Sequence, residues 1–155
     1  MAHGMVTETI PAPAGEAFDL VHDYPRRLEW DTLLSAAYLD DVYTEAGKGA
    51  TSVCVGKWCL GRLALKTVYV AFDRPAVAAV KMVNHPPLFD SWAASLRHGD
   101  TGDGCSRITY AFHFTAKPEV LRFVLDPLMG ATFGSEVRKR LRALELHFGR
   151  IVYPK

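Results

Sequence analysis

EVLRFVLDPLMGATFGSEVRKRLRALELHFGR, residues 119–150, is the stretch on which the reading of the chain turns. Met129, Phe133, Val137, Leu141, Leu144 and Phe148 recur at spacings of three and four, which makes one buried stripe on a helix. Val120, Leu121, Val124, Leu125 and Leu128 also recur at helical spacing but project in another direction. Asp126-Pro127 lies between the two sets. Aspartate is a favoured helix N-cap, because its carboxylate accepts an orphan backbone N–H. Proline is favoured at the first helical position, where its missing N–H costs nothing. The spacing therefore predicts a short helix, a break at Asp126-Pro127, and a long C-terminal helix. The short helix would lie over the rim of whatever the long one covers, as a lid or contact surface.

Upstream, the chain reads as strands. Met5–Ile10 alternates apolar and polar residues and ends at Pro11-Ala12-Pro13. Ala14–His22 carries Ala17, Phe18 and Val21 at helical spacing, and Tyr24–Leu34 reads as a second short helix or turn with Leu28, Trp30 and Leu33 as its apolar contacts. Further strands are expected over Ser35–Val42, Thr51–Trp58, Leu63–Phe72, Val77–Val83, Ser91–Arg97 and Arg107–Thr115, with a turn or bulge near Gly61 and a hairpin loop over Gly99–Gly104. Alternation puts Trp92, Ala94 and Leu96, and Ile108, Tyr110, Phe112 and Phe114, on inward faces, with Arg97, Arg107, Thr109, His113 and Thr115 outside. The result is an α+β chain: about seven antiparallel strands in one curved sheet, two short helices after the first strand, and one long helix to cover the concave face. A strongly curved sheet around one helix seldom fills its interior, and the gap is a natural apolar pocket.

Composition narrows the function. The 155 residues favour one domain spanning 1–155, with 49% hydrophobic and 23% charged residues. A formal net charge of +1 gives no argument for nucleic acid or an anionic membrane as partner. No stretch reaches the roughly 18 apolar residues of a membrane span. MAHGMVTETI lacks the basic and apolar regions of a signal peptide. Cys54, Cys59 and Cys105 have no paired spacing and read as reduced thiols, so the expected location is the cytoplasm. The sequence leaves a homodimer open.

Ile10-Pro11-Ala12-Pro13 followed by Ala17-Phe18, Tyr24-Pro25 leading to Trp30, and the ladder ending at Leu141 and Leu144 resemble the START-like, or SRPBCC, superfamily. The likeness is to its polyketide cyclase/dehydrase and lipid-transport branch, and it covers essentially the whole chain. It implies a helix-grip fold with a deep hydrophobic cavity. Members include polyketide aromatases and cyclases, lipid and quinone carriers, hormone receptors and chaperone-assisting domains. No single catalytic motif defines them, so no catalytic residue is carried over.

The residues themselves offer candidates of unequal weight. H-E-x-x-H, C-x-x-C, G-x-S-x-G and P-loop motifs are missing, and Gly47-Lys48-Gly49 precedes a strand and reads as a turn. His3, His22, His85, His98, His113 and His147 share no i, i+4 spacing, so no metal or cofactor is expected. His85, in the stiff Asn84-His85-Pro86-Pro87 loop, is either a general acid or base at a cavity mouth or a surface loop histidine. Asp31 either orients a polar ligand group or caps a turn. Trp30, Met82, Trp92, Tyr110, Phe112, Phe114, Met129 and Phe133 are the expected ligand contacts. Tyr110 leads them, because a buried phenol needs a hydrogen-bond partner. Gly130 and Gly134 mark close backbone approach, deliberate space or a bend. Arg138, Lys139, Arg140 and Arg142, partly balanced by Glu136 and Glu145, read as a solvated face. These features point to a domain that binds a lipid, polyketide or aromatic compound. A polyketide cyclase or dehydratase using Tyr110 or His85 is the enzymatic alternative, and a protein-interaction domain docking through residues 118–125 is the third.

Overall fold

The computed structural model describes residues 2–40, 42–57 and 64–152. Its elements run β1 (Ala2–Ile10), α1 (Ala14–Val21), a 3-10 turn (Tyr24–Arg26), α2 (Arg27–Trp30), β2 (Leu34–Leu39), β3 (Thr51–Gly56), β4 (Ala64–Asp73), β5 (Val77–Met82), β6 (Phe89–Gly102), β7 (Cys105–Ala116), a second 3-10 turn (Glu119–Leu121) and α3 (Arg122–Val152). The strands form one antiparallel sheet in the order β1-β7-β6-β5-β4-β3-β2. Thus β2 to β7 are a meander, and β1 closes onto β7. The expected end of the third strand at Trp58, the turn near Gly61 and Cys59 lie outside the described residues.

Alternation sets which face is buried. Ile108, Tyr110, Phe112 and Phe114 of β7 and Trp92, Ala94 and Leu96 of β6 are buried, while Arg97, Arg107 and His113 are exposed. The hairpin between β6 and β7 is tighter than its composition implies. Gly99–Gly102 belongs to β6, and the turn is only Asp103-Gly104, both at positive φ (58° and 75°). That is the two-residue Asp-Gly geometry whose twist matches the flanking strands. Asp100, near this end of β6, accepts the N–H of Ala14 at 2.8 Å and so satisfies a free donor at the start of α1, where Pro13 offers no side-chain cap.

The expected break at Asp126-Pro127 does not occur: α3 runs unbroken from Arg122 through Pro127. Pro127 lies near the start of the helix, where it forfeits only the bond its N–H would make to the carbonyl four residues earlier. Asp126 does accept a backbone N–H, but from the end of β7 instead of from its own helix. Its Oδ1 takes Ala116 N–H at 2.8 Å, and Arg122 Nε donates to the Ala116 carbonyl at 2.9 Å. The first turns of α3 are pinned to the sheet by these two bonds. Val120, Leu121, Phe123 and Val124 are exposed.

The inward stripe of α3 is as spaced: Val137, Leu141, Leu144 and Phe148 are buried, with Met129 and Phe133 half-buried toward the N-terminal end. The helix lies along β1 and β7, one flank of the sheet. Small residues face each other there at ordinary packing distance. A Cβ built on Gly130 would meet the Ala2 Cβ at 3.5 Å, and one on Gly134 would meet Phe112 Cζ at 3.9 Å. On β1, Gly4 lies opposite Phe112, whose ring covers it; a Cβ at Gly4 would stand 2.6 Å from Phe112 Cζ. Phe112 cannot swing away freely, since Phe133 packs on it edge-to-face at 4.7 Å. Gly4→Ala is therefore expected to cost about 1–3 kcal/mol of stability as an overpacking change, read by urea unfolding. A variant as stable as the parent would show that the ring can shift without loss.

Candidate ligand cavity

Because α3 covers only the β1–β7 flank, the concave face of β3 to β6 is not filled. A cavity of about 480 Å³ lies between that face and the helix. Its walls are largely apolar: Val21, Leu33, Leu34, Leu65, Ala78, Val80, Phe89 and Leu96 from the sheet side, Met129, Phe133 and Val137 from α3. Leu88, Leu128 and Thr132 line it too and are exposed, so they mark its mouth. At 1.5 Å per residue, Leu128 to Arg140 spans about 18 Å of helix, which is the length of cavity that α3 roofs.

The inner end is polar. Tyr24, Tyr69 and His22 form a hydroxyl–imidazole chain, with Tyr24 Oη to Tyr69 Oη at 2.9 Å and Tyr69 Oη to His22 Nδ1 at 2.7 Å. Ser52 and Thr67 hydroxyls meet at 3.0 Å on neighbouring strands. Where α2 meets α3, Arg27 Nε donates to Asp31 Oδ2 at 2.9 Å, and Arg140 Nε stands 3.1 Å from the same oxygen. Asp31 Oδ1 accepts Leu33 N–H at 3.2 Å, so this aspartate caps a turn as well as binding two guanidiniums. Arg27 also donates to the Val21 carbonyl at 2.8 Å and lies over the Trp30 ring, 5.0 Å from its centroid.

Burial and charge fix the protonation states. Burial pushes the His22 pKa down to about 3, helped by the charges of Arg27 and His98. Burial raises Tyr24, Tyr69 and Tyr110 and the Cys54 thiol above their ordinary values. Burial would raise Asp31 as well, but the charges of Arg140 and Arg27 outweigh it and hold the carboxylate below its usual range. At neutral pH the inner end thus holds a neutral imidazole, neutral phenols, a thiol and an ionised Arg27–Asp31–Arg140 group. Among the described residues, no set of His, Cys, Asp and Glu is placed to hold a metal ion, and no helix is long and apolar enough to cross a membrane.

The structure brings four of the expected contacts, Trp92, Tyr110, Met129 and Phe133, into the cavity wall. The other four stand outside it. Trp30 is buried beneath Arg27, and Phe112 and Phe114 pack edge-to-face against Phe133, so all three are core behind the wall. Met82 faces a separate groove of about 330 Å³, shared with His85, Asp90 and His113. His85 is exposed there and does not line the cavity. Residues 120–125 take no part in the wall, so the lid reading of this segment is corrected; Leu128 is the first α3 residue on the cavity.

Three sets of residues escaped the sequence reading. Arg140 is not on a solvated face: its side chain is 14% exposed and lines the cavity. It falls three residues after Val137 and four before Leu144, on the inward stripe itself. Alternation along β4 turns Leu65, Thr67 and Tyr69 inward together. His22, Tyr24 and Arg27 follow no simple period, because they lie where α1 gives way to a 3-10 turn and α2.

This fold agrees with what comparison finds. The family model for polyketide cyclase / dehydrase and lipid transport matches residues 1–149. The chain belongs to that family. A START superfamily protein from Mycobacterium smegmatis is 11% identical, with a TM-score of 0.81 over 97% of this chain and 99% of that one. The Zhui aromatase/cyclase from Streptomyces sp. R1128 is 13% identical, with a TM-score of 0.81 over 98% and 96%. A solution structure from Thermobifida fusca is 21% identical, with a TM-score of 0.73 over 97% and 95%. At these identities the likeness is one of fold, the START-like half-barrel around a C-terminal helix. No curated protein matches the sequence significantly.

Proposed function

We propose that this domain binds a hydrophobic small molecule, a lipid, polyketide or aromatic compound, in the cavity between the sheet and α3. The observation that carries this is the 480 Å³ space with apolar walls and an exposed mouth. A void of this size within a packed fold forfeits contacts on every side, and it falls in the range of small-molecule sites. Membership of the family supports the same reading. Native mass spectrometry with a panel of fatty acids, aromatic acids and polyketide-like phenols tests it. One-to-one retention of at least one class is expected; a panel from which nothing is retained would sink the reading. Thr132→Trp should abolish that retention while leaving the melting temperature within a degree or two, because Thr132 is exposed at the mouth and its bulk would close the entrance. Undiminished binding by this variant would move the entrance elsewhere.

A second reading, ring closure or dehydration of a polyketide-like chain, draws on one observation. Tyr110 and the Tyr24–Tyr69–His22 chain all reach the wall, where they can donate or relay protons. Enclosure would supply the intramolecular geometry that ring closure needs. Against it, His22 is far from the pKa near ambient pH that suits a general base. Conversion of a poly-β-keto thioester above its uncatalysed rate, lost in Tyr69→Phe, is the result that would favour catalysis over carriage. The exposed face of Val120, Leu121, Phe123 and Val124 carries the third reading, a surface for another protein.

A further inference from the structure

The inner end of the cavity holds more positive charge than its own residues neutralise. Arg27 and Arg140 both line it, and between them stands a single carboxylate, Asp31. That carboxylate is already engaged at both oxygens. Oδ2 is shared by both guanidiniums, and Oδ1 accepts Leu33 N–H. Arg140 Nε lies within ion-pair reach of Oδ2 but is buried without an aligned hydrogen bond. A guanidinium carries five N–H donors, and burying a cation without full pairing is costly. The other charged group on the wall is Glu136, one turn before Arg140; its carboxylate is engaged at 3.0 Å by Lys139 toward solvent. Among the described residues this leaves one guanidinium charge at the inner end without a counter-ion.

We propose that the hydrophobic ligand is an acid, its apolar body along the α3 roof and its carboxylate against Arg140 at the inner end. This rests on the cavity being a ligand site. Arg140 is the group that turns to it, because Arg27 is already committed to Asp31 and to the Val21 carbonyl. A carboxylate there completes a two-cation, two-anion cluster, and charge-assisted pairing in a desolvated site is the strong kind. Neutral apolar molecules of the same shape would fill the walls but leave Arg140 as it is.

The test compares acids with their primary amides, which match in shape and lack the charge: dodecanoate with dodecanamide, 1-naphthaleneacetate with its amide, and 9-anthracenecarboxylate with its amide, each titrated calorimetrically into the intact protein at pH 7. The acid is expected to bind about tenfold or more tightly than its amide in every pair that binds. Arg140→Gln should bring the ratio to about one with little effect on the amide. Glu136→Gln should leave the ratio at about tenfold or more, since Lys139 already holds that carboxylate toward solvent. Equal affinity of acid and amide for the unaltered protein would overturn this proposal and leave the cavity reading standing. Absence of binding by all six probes would remove both. If Arg140→Gln does not fold, the ratio in the unaltered protein and in Glu136→Gln still decides.

Discussion

Asp31→Ala is expected to destabilise the protein by about 3–5 kcal/mol, the cost of removing one partner from a buried ion cluster. Asp31 is 2% exposed, and its carboxylate is the counter-ion of two guanidiniums whose side chains are 9% and 14% exposed. Truncation leaves both cations in a desolvated pocket and frees the Leu33 N–H. Asp31→Asn keeps the turn cap but not the charge, so it should fall between the parent and Asp31→Ala. Most of the loss should be recovered by Arg27→Met in the Asp31→Ala background, because the penalty lies in the unpaired charge more than in a missing contact. Urea unfolding of the four proteins at neutral pH is the measurement. A loss below about 1 kcal/mol for Asp31→Ala would mean that water reaches Arg27 and Arg140 and the cluster is not desolvated.

The second large effect is with pH. Burial sets the His22 pKa at about 3 and that of His98 at about 4, against an ordinary value of 6.5. Below pH 6.5 the unfolded chain binds protons at both positions and the folded chain does not. Stability is therefore fully present above 6.5 and lost as pH falls toward the folded values, by about 1.4 kcal/mol per unit for each histidine. Between pH 7 and 4.5 the loss should reach about 3–5 kcal/mol. Asp31 scarcely contributes in that window, since its unfolded pKa lies lower. His98 packs its ring against Phe18 at 5.3 Å, and neither ring nitrogen has a hydrogen-bond partner. His98→Phe should accordingly shrink the acid loss while costing little at neutral pH. Equal stability at pH 7 and 4.5 would place both rings in contact with solvent.

How much of this was legible in the sequence depends on the kind of signal each residue leaves. Strand alternation carried far: Ile108 to Phe114 and Trp92 to Leu96 face inward because a pleated strand allows no other arrangement once one residue is placed. The α3 stripe was legible for the same reason. Position in the core, however, is not position on a surface inside it. Phe112 and Phe114 share a face with Tyr110, yet they pack against Phe133 of the helix behind the wall, and Tyr110 reaches the cavity. That distinction depends on where α3 lies across the sheet, along β1 and β7. Gly130 and Gly134 in the sequence leave approach, space and a bend as alternatives, because their partners Ala2 and Phe112 lie far away along the chain. Asp126-Pro127 misled for a clearer reason. Its residues carry real capping chemistry, but the carboxylate spends it on Ala116 of the neighbouring strand. Arg140 was hidden by its neighbours Arg138, Lys139 and Arg142, whose common charge concealed that its spacing matches Val137 and Leu144.

The pairing of β1 with β7 also has a consequence for how the protein comes into being. Ala2 lies against Phe114 and Ile10 against Ser106, so the first strand has no partner until most of the chain has been made. The helix that rests on both is made after them. In a nascent chain Trp92, Phe112 and Phe114 are therefore made before the helix that covers them, and stay exposed until it arrives. Such a surface is prone to associate with other chains, and its safe passage depends on how promptly Arg122 and Asp126 fasten the arriving helix to Ala116.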